Sequence, residues 1–418
     1  MRKASSDEIL GVLDIGSSKI CCLIGLVPGG PRHGGQEFRT LGFGHMRSRG
    51  IKSGIIVDLD EAERSVRAAV AQAEKEAGTQ LEEVTVAVTS GRLKSLNFRA
   101  EARLNRGVVG VDDLSDLWDG AREYVERSGR ALVSLNHVDY RVDGCEGIVD
   151  PRGLAGSEIV ADMHAVTADL PPLRNIHGLM KRCYLDVGGL VPAAYASALA
   201  ATTDDERDAG VICIDIGGGV TGIAILARGR FVHSGSIPFG AGHISLDIAR
   251  DLAISFDEAE RLKTLHGSVL HAASDETELV GYNTEWAGQV VRQQTVRAHV
   301  RRIVEHRLCM ILQMVAEHLS DTRLGQFSRH RIVLTGGGSQ LLGLAEFAAN
   351  FLGRPVRTGG PLSTGFGPQF LAGPGFSSLV GTMTASQDAN HLLSVKSSAD
   401  RSLEASLGRV GRWLKESF

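Results

Sequence analysis

One short pattern is written twice in this 418-residue chain, about half a length apart: an apolar strand, an aspartate, one residue, then glycine. Ile9-Leu10-Gly11-Val12-Leu13-Asp14-Ile15-Gly16-Ser17-Ser18-Lys19 carries the first copy, and Val211-Ile212-Cys213-Ile214-Asp215-Ile216-Gly217-Gly218-Gly219-Val220-Thr221 the second. A third glycine turn, Gly336-Gly337-Gly338, follows the apolar run Ile332-Val333-Leu334-Thr335. A phosphate in a hairpin mouth is held by converging backbone N–H groups, which side chains at the turn would obstruct. Two acidic strand ends facing each other across a cleft suit a hydrated Mg²⁺ bridging phosphate oxygens. The pattern therefore predicts an α/β fold with a nucleotide gripped between two related halves. Asp14 and Asp215 are the expected metal ligands, and Gly16, Gly217, Gly218 and Gly219 the phosphate turns. Ser17, Ser18, Lys19 and Thr221 are expected to add hydroxyl and cationic contacts.

Such a turn taken singly is often only a tight hairpin, and the weight lies in the duplication. No G-x-x-x-x-G-K-[ST] run is present, and neither Asp turn opens a helix as a dinucleotide fingerprint does. Bulk properties narrow the class further. The length calls for two or more domains. A net charge of −4 and an aromatic content of 5% supply neither the field nor the stacking platforms expected of a nucleic-acid binder. The six cysteines are scattered without C-x-x-C or histidine partners, so neither a disulfide framework nor a zinc site is expected. The polar start Met1–Glu8 reads as no signal peptide, and no apolar run reaches membrane-span length.

Periodicity divides the chain. Residues 8–91 and 171–206 read as a first core unit, with a helix from Asp60 to Ala77 closed by Gly78. Residues 92–170 interrupt it as an inserted module, richer in charge and carrying a helix over Asp112–Ser128. Residues 207–242 and 330–384 form a second core unit, separated by a mostly helical section, 243–329, with a long basic helix over Val290–Leu319. Residues 385–401 are polar and unpatterned, as in a tether. Residues 402–418 become amphipathic: Leu403, Leu407, Val410, Leu414 and Phe418 form one stripe, bordered by Trp413. Arg401, Arg409, Arg412 and Lys415 lie opposite. That layout fits a helix lying in the plane of an anionic membrane, the alternative being a helix docked on a protein core.

These residues resemble the actin, Hsp70 and sugar-kinase superfamily, in which two ribonuclease-H-like domains flank a nucleotide cleft. Glu260 and Lys263 are similar to that superfamily's Glu-x-x-Lys element for ribose and adenine, although the same spacing also makes a plain i,i+3 ion pair. More narrowly, the chain resembles the FtsA family of actin-like bacterial cell-division proteins. Ser48-Arg49-Gly50-Ile51, Ser90-Gly91-Arg92, Asp204 through Val211 and Ile332 through Gly337 carry that likeness, and the inserted module occupies the place of the FtsA-specific subdomain. The resemblance implies ATP and Mg²⁺ as ligands, self-association into filaments, and binding to the C-terminal peptide of FtsZ and to other divisome proteins. It places the protein against anionic phospholipid on the cytoplasmic side of the inner membrane, at the septum. Arg297, Arg301 and Arg307 of the basic helix are the expected FtsZ-contact residues, although such a run also serves as a solvated face.

The chain departs from its relatives in one informative place. Where Hsp70-like and MreB-like proteins carry a glutamate that orients the attacking water, Leu190-Val191-Pro192-Ala193-Ala194 has Val191, which cannot accept a proton. Nucleotide binding with slow or negligible hydrolysis is the expectation. A small-molecule kinase of the same fold is the alternative, but no general base beside a substrate hydroxyl is evident. A chaperone ATPase would need a peptide-binding module for which too few residues remain.

Overall fold

The computed structural model describes residues 7–28, 38–89, 92–286, 288–327, 329–362 and 367–387. The chain opens as a meander of strands β1 (Glu8–Ile15), β2 (Lys19–Val27) and β3 (Arg39–Arg47), followed by a two-residue pair, β4 (Ile51–Lys52) and β5 (Ile55–Ile56). Helix α1 (Leu59–Ala77) starts where the Asp58 carboxylate accepts from the amides of Asp60 and Glu61, and stops at left-handed Gly78. Its Ala62, Val66, Ala69, Val70 and Ala73 recur at helical spacing and enter the core shared with Leu13, Ile20 and Ile24. Strand β6 (Glu83–Val88) then pairs parallel to β1.

Residues 94–168 build a sheet of their own, from β7 (Lys94–Arg103), α2 (Val111–Glu126), β8 (Ala131–Val142), β9 (Cys145–Ile148) and β10 (Glu158–Ala168), in the order β7-β10-β8-β9. Leu117, Ala121 and Val125 of α2 cover it, burying Leu135, Ile159 and Met163. The chain returns through α3 (Leu170–Arg182) to β11 (Asp186–Pro192), which completes a five-stranded sheet ordered β3-β2-β1-β6-β11.

Helix α4 (Ala193–Ala201), almost wholly buried alanine, and short α5 (Asp204–Ala209) lead into the second half. There β12 (Val211–Ile216), β13 (Thr221–Ala227) and β14 (Arg230–Ile237) repeat the meander. Helices α6 (Ala241–Asp251) and α7 (Phe256–His266), the hairpin β15 (Leu279–Trp286) and β16 (Gln289–Val296), and α8 (Arg297–Leu319) follow. Strand β17 (Arg331–Thr335), α9 (Leu344–Leu352) and β18 (Val356–Thr358) finish a sheet ordered β14-β13-β12-β17-β18, and α10 (Ser377–Ser386) packs across α4. The two five-stranded sheets thus share one topology: a meander whose first strand also takes a parallel partner, with a fifth strand beyond.

One reading of the sequence is corrected. The long basic helix expected from Val290 begins only at Arg297, because 289–296 is a strand; Val290, Val291, Thr295 and Val296 are β-branched and favour it. The section 243–329 is therefore helical with a hairpin inserted. Val191 lies near the end of β11, paired with Ala87, just before α4. The expected amphipathic helix, with Leu403, Leu407, Arg409, Val410, Arg412, Trp413, Leu414, Lys415 and Phe418, falls outside the described residues.

Candidate functional site

Both aspartates sit on the central strand of a sheet. Asp14 lies opposite Cys21 of β2 and Ala87 of β6; Asp215 lies opposite Gly222 of β13 and Thr335 of β17. Just beyond each, the turn closes identically: the Gly16 amide donates to the Lys19 carbonyl (3.0 Å), and the Gly217 amide to the Val220 carbonyl (2.9 Å). The turns then meet face to face. A Cβ on Gly219 would stand 2.5 Å from Ser17 Oγ, and one on Gly218 would stand 3.0 Å from Ser18 Cβ. Only glycine lets the second hairpin come this near the first.

Around this junction lies a small cavity of about 110 Å³, lined by Asp14, Gly16, Ser17, Ser18, Lys19, Asp215, Gly217, Gly218, Gly219, Gly336 and Gly337. It shares Ser17, Ser18, Gly218, Gly219 and Gly337 with a much larger one of about 1280 Å³, whose walls include Gly338, Glu260 and Lys263. The volume of the larger one exceeds what a drug-sized ligand usually needs. The third glycine turn is the back wall. Gly336 has φ +83°, and a Cβ there would lie 2.1 Å from Asp215 Oδ1, so this position demands glycine on both grounds.

Electrostatics at the junction oppose charge. Burial pushes Asp14 up to about 6; the Lys19 ammonium works against that rise and the Asp215 carboxylate adds to it. Asp215 is likewise raised by burial, against the hydrogen bond from Ser197 and the charge of Lys19. Lys19 Nζ sits 3.5 Å above the Phe376 ring. Two carboxylates held above their ordinary range, beside hydroxyls and open to a cavity, form a donor set of hard oxygens suited to Mg²⁺. Among the described residues no group of three or more His, Cys, Asp or Glu side chains gathers as a protein-only metal cage. A cation here would complete its shell with water and phosphate, as Mg²⁺ commonly does.

In the larger cavity Lys263 is 8% exposed; its Nζ donates to Glu260 Oε2 (2.7 Å) and to the Ala241 carbonyl (3.2 Å). Ser245 donates to the same Glu260 oxygen. Glu260 and Lys263 are thus an i,i+3 ion pair and cavity wall at once.

Four of the expected site residues are engaged in internal contacts. Thr221 is fully buried and its hydroxyl donates to the Phe239 carbonyl (2.8 Å), so it ties β13 to the loop before α6 and lines neither cavity. The three arginines of α8 bind inside the molecule. Arg301 is buried between Asp275 and Glu305, Arg307 makes a two-pronged pair with Asp247 (2.6 and 2.9 Å), and Arg297 pairs with Glu278 and lines the larger cavity. Within the chain their charge is matched by these carboxylates, which hold α8 in place.

Other residues escaped the sequence reading. Arg47 of β3 and Asp257 of α7, 210 positions apart, pair across the mouth of the larger cavity. The amides of Ala241 and Gly242, which open α6, donate to the carbonyls of Gly217 and Gly218 and so fix the second hairpin. The run Phe239-Gly240-Ala241-Gly242 was a readable glycine signal; Arg47 and Asp257 offered none.

A family profile described as "Cell division protein FtsA" matches residues 212–381, and one described as "SHS2 domain inserted in FTSA" matches residues 90–167. The cell division protein FtsA of Rhizobium meliloti is 37% identical over 424 residues, covering 98% of this chain and 95% of its own. The chain belongs to the FtsA family. FtsA of Pseudomonas aeruginosa and of Escherichia coli are each 28% identical, over the full length of both chains. Among solved structures, a PilM-PilN type IV pilus biogenesis complex aligns at a TM-score of 0.60 with 16% identity, covering 90% of this chain and 97% of the other. MreB5 of Spiroplasma citri bound to ADP aligns at 0.52 with 16% identity, covering 90% and 95%. At those identities they show the fold: this is an actin-like ATPase fold with an FtsA-type insert.

Proposed function

We propose that this chain is an ATP-binding, self-assembling adaptor of cell division that holds FtsZ filaments against the cytoplasmic face of the inner membrane at the septum. The observation that carries the nucleotide part is the meeting of the two glycine hairpins, Ser17 and Ser18 against Gly218 and Gly219, between two strand-end aspartates. Asp14 and Asp215 would hold Mg²⁺, which neutralises phosphate charge and clamps the two halves on one ligand. The hairpin amides would cradle the phosphates, Gly336 to Gly338 would floor the site, and Glu260 with Lys263 would face ribose and base. Val191 is buried at 5% exposure and lines neither cavity, so nothing at that position activates water, and ATP acts chiefly as a structural ligand.

Membrane contact rests on the terminal stripe Leu403, Leu407, Val410, Leu414 and Phe418 with its basic opposite face. Among the described residues no helix is long and apolar enough to cross a membrane. One short anchor binds marginally, and assembly of many copies multiplies it. Flotation with anionic liposomes, with and without ATP, tests the reading. The full chain is expected to float with lipid, more completely with ATP. A chain lacking 402–418 is expected to stay in solution. Flotation unchanged by that deletion rules the anchor out, and Asp215→Ala that keeps full ATP dependence rules the site out.

A further inference from the structure

Asp215 has a partner that the hairpin sequence does not contain. Ser197, on α4, is fully buried, and its hydroxyl donates to Asp215 Oδ2 at 2.5 Å. The other carboxylate oxygen, Oδ1, occupies the space a side chain at position 336 would need, 2.1 Å from where a Cβ on Gly336 would stand. The carboxylate is therefore fixed from two sides, by a donor on a helix and by bare backbone on a glycine turn.

We infer that Ser197 is a positioning residue: its hydroxyl fixes the orientation of the Asp215 carboxylate, the group proposed to hold the Mg²⁺ that accompanies the nucleotide. The inference rests on the proposed nucleotide site and adds a residue to it. A carboxylate free to rotate about its Cβ–Cγ bond offers a cation many orientations; one O–H···O bond to Oδ2 selects one of them before the ligand arrives. Ser197 lines neither cavity, so it touches neither nucleotide nor metal and acts only through Asp215. Removing a hydrogen bond to a charged group commonly changes an equilibrium by about tenfold.

The test is ATP affinity of the full chain with Mg²⁺ and, separately, in EDTA, for the wild type, Ser197→Ala, Asp215→Ala and the double variant. Wild type should bind more tightly with Mg²⁺. Ser197→Ala should lose about tenfold with Mg²⁺ and nothing in EDTA. The double variant should match Asp215→Ala, because the serine acts only through that carboxylate. Ser197→Ala that weakens binding equally in both conditions means a merely structural role and overturns the inference. So does Ser197→Ala that keeps the full Mg²⁺ gain while Asp215→Ala loses it, although the site itself then stands. If Asp215→Ala also keeps the gain, the metal site is misassigned and the inference falls with it. Ser197→Cys, with a weak donor of similar shape, gives the same comparison should the alanine variant fold poorly.

Discussion

Asp14 is an acid that its own fold keeps from ionising easily. Its ordinary value of 3.8 rises to about 6 in the folded chain, mainly through burial, so the folded form binds the extra proton between those limits. For a group raised on folding, stability is greatest at low pH and declines as pH climbs from about 4 through 6. Asp14→Asn removes the charge that must be desolvated. Thermal melts of the nucleotide-free protein should show the variant more stable by about 1–2 kcal/mol at pH 7.5, a figure reduced because the cavity admits solvent, with the gain fading toward pH 4. The same variant should lose Mg²⁺-dependent nucleotide binding, the usual exchange of stability for function. Asp14, Asp215 and their glycines were legible because turn chemistry is local: the residues that need each other stand within four positions. The internal contacts of Thr221 and Arg301 were not legible, because side-chain burial depends on what packs from elsewhere in the chain, Phe239 in one case and Asp275 in the other. Ser197 sits on an alanine-rich helix, and nothing in that stretch marks its carboxylate partner.

Helices α4 and α10 show how elements transmit such residue-level fits. They cross so closely that a Cβ on Gly381 would lie 1.7 Å from the Ala196 carbonyl oxygen. Alanines on one helix and small residues on the other permit that approach, with backbone against backbone. Gly381→Ala should force the helices apart and lower stability by about 1–3 kcal/mol, read as an earlier denaturant midpoint. The alanine run and its helix were visible in sequence; their crossing partner, almost two hundred residues later, was not. The stretch before α8 shows the opposite failure. Its charges suggested a continuous helix, yet β-branched residues at 290, 291, 295 and 296 and pairing with 279–286 made it half of a hairpin. The partner strand lies just outside the segment, and single-segment periodicity does not register it.

At the scale of the whole molecule, the duplicated topology of the two sheets was the most legible property, since the repeated Asp-x-Gly hairpins fixed which strands pair first. The contacts between halves were the least. Arg47 and Asp257 join them across the cavity mouth, and Arg47 holds the Asp257 carboxyl below its usual range. Both side chains are largely solvent-exposed, so the pair is weak and salt-sensitive. Arg47→Glu should speed nucleotide release by about two- to fivefold at low salt, with little difference at high salt, in a stopped-flow displacement measurement.

The inserted sheet makes a second, quieter connection. The chain joins it to the first sheet, yet Asn136 of β8 donates to the Phe231 carbonyl (2.7 Å), and the Ser234 amide of β14 donates to Ser95 Oγ of β7 (3.2 Å). The inserted sheet therefore touches both halves of the molecule, through the chain on one side and these two hydrogen bonds on the other. If a partner on its outer rim changes nucleotide affinity, nucleotide must change that partner's affinity by the same factor.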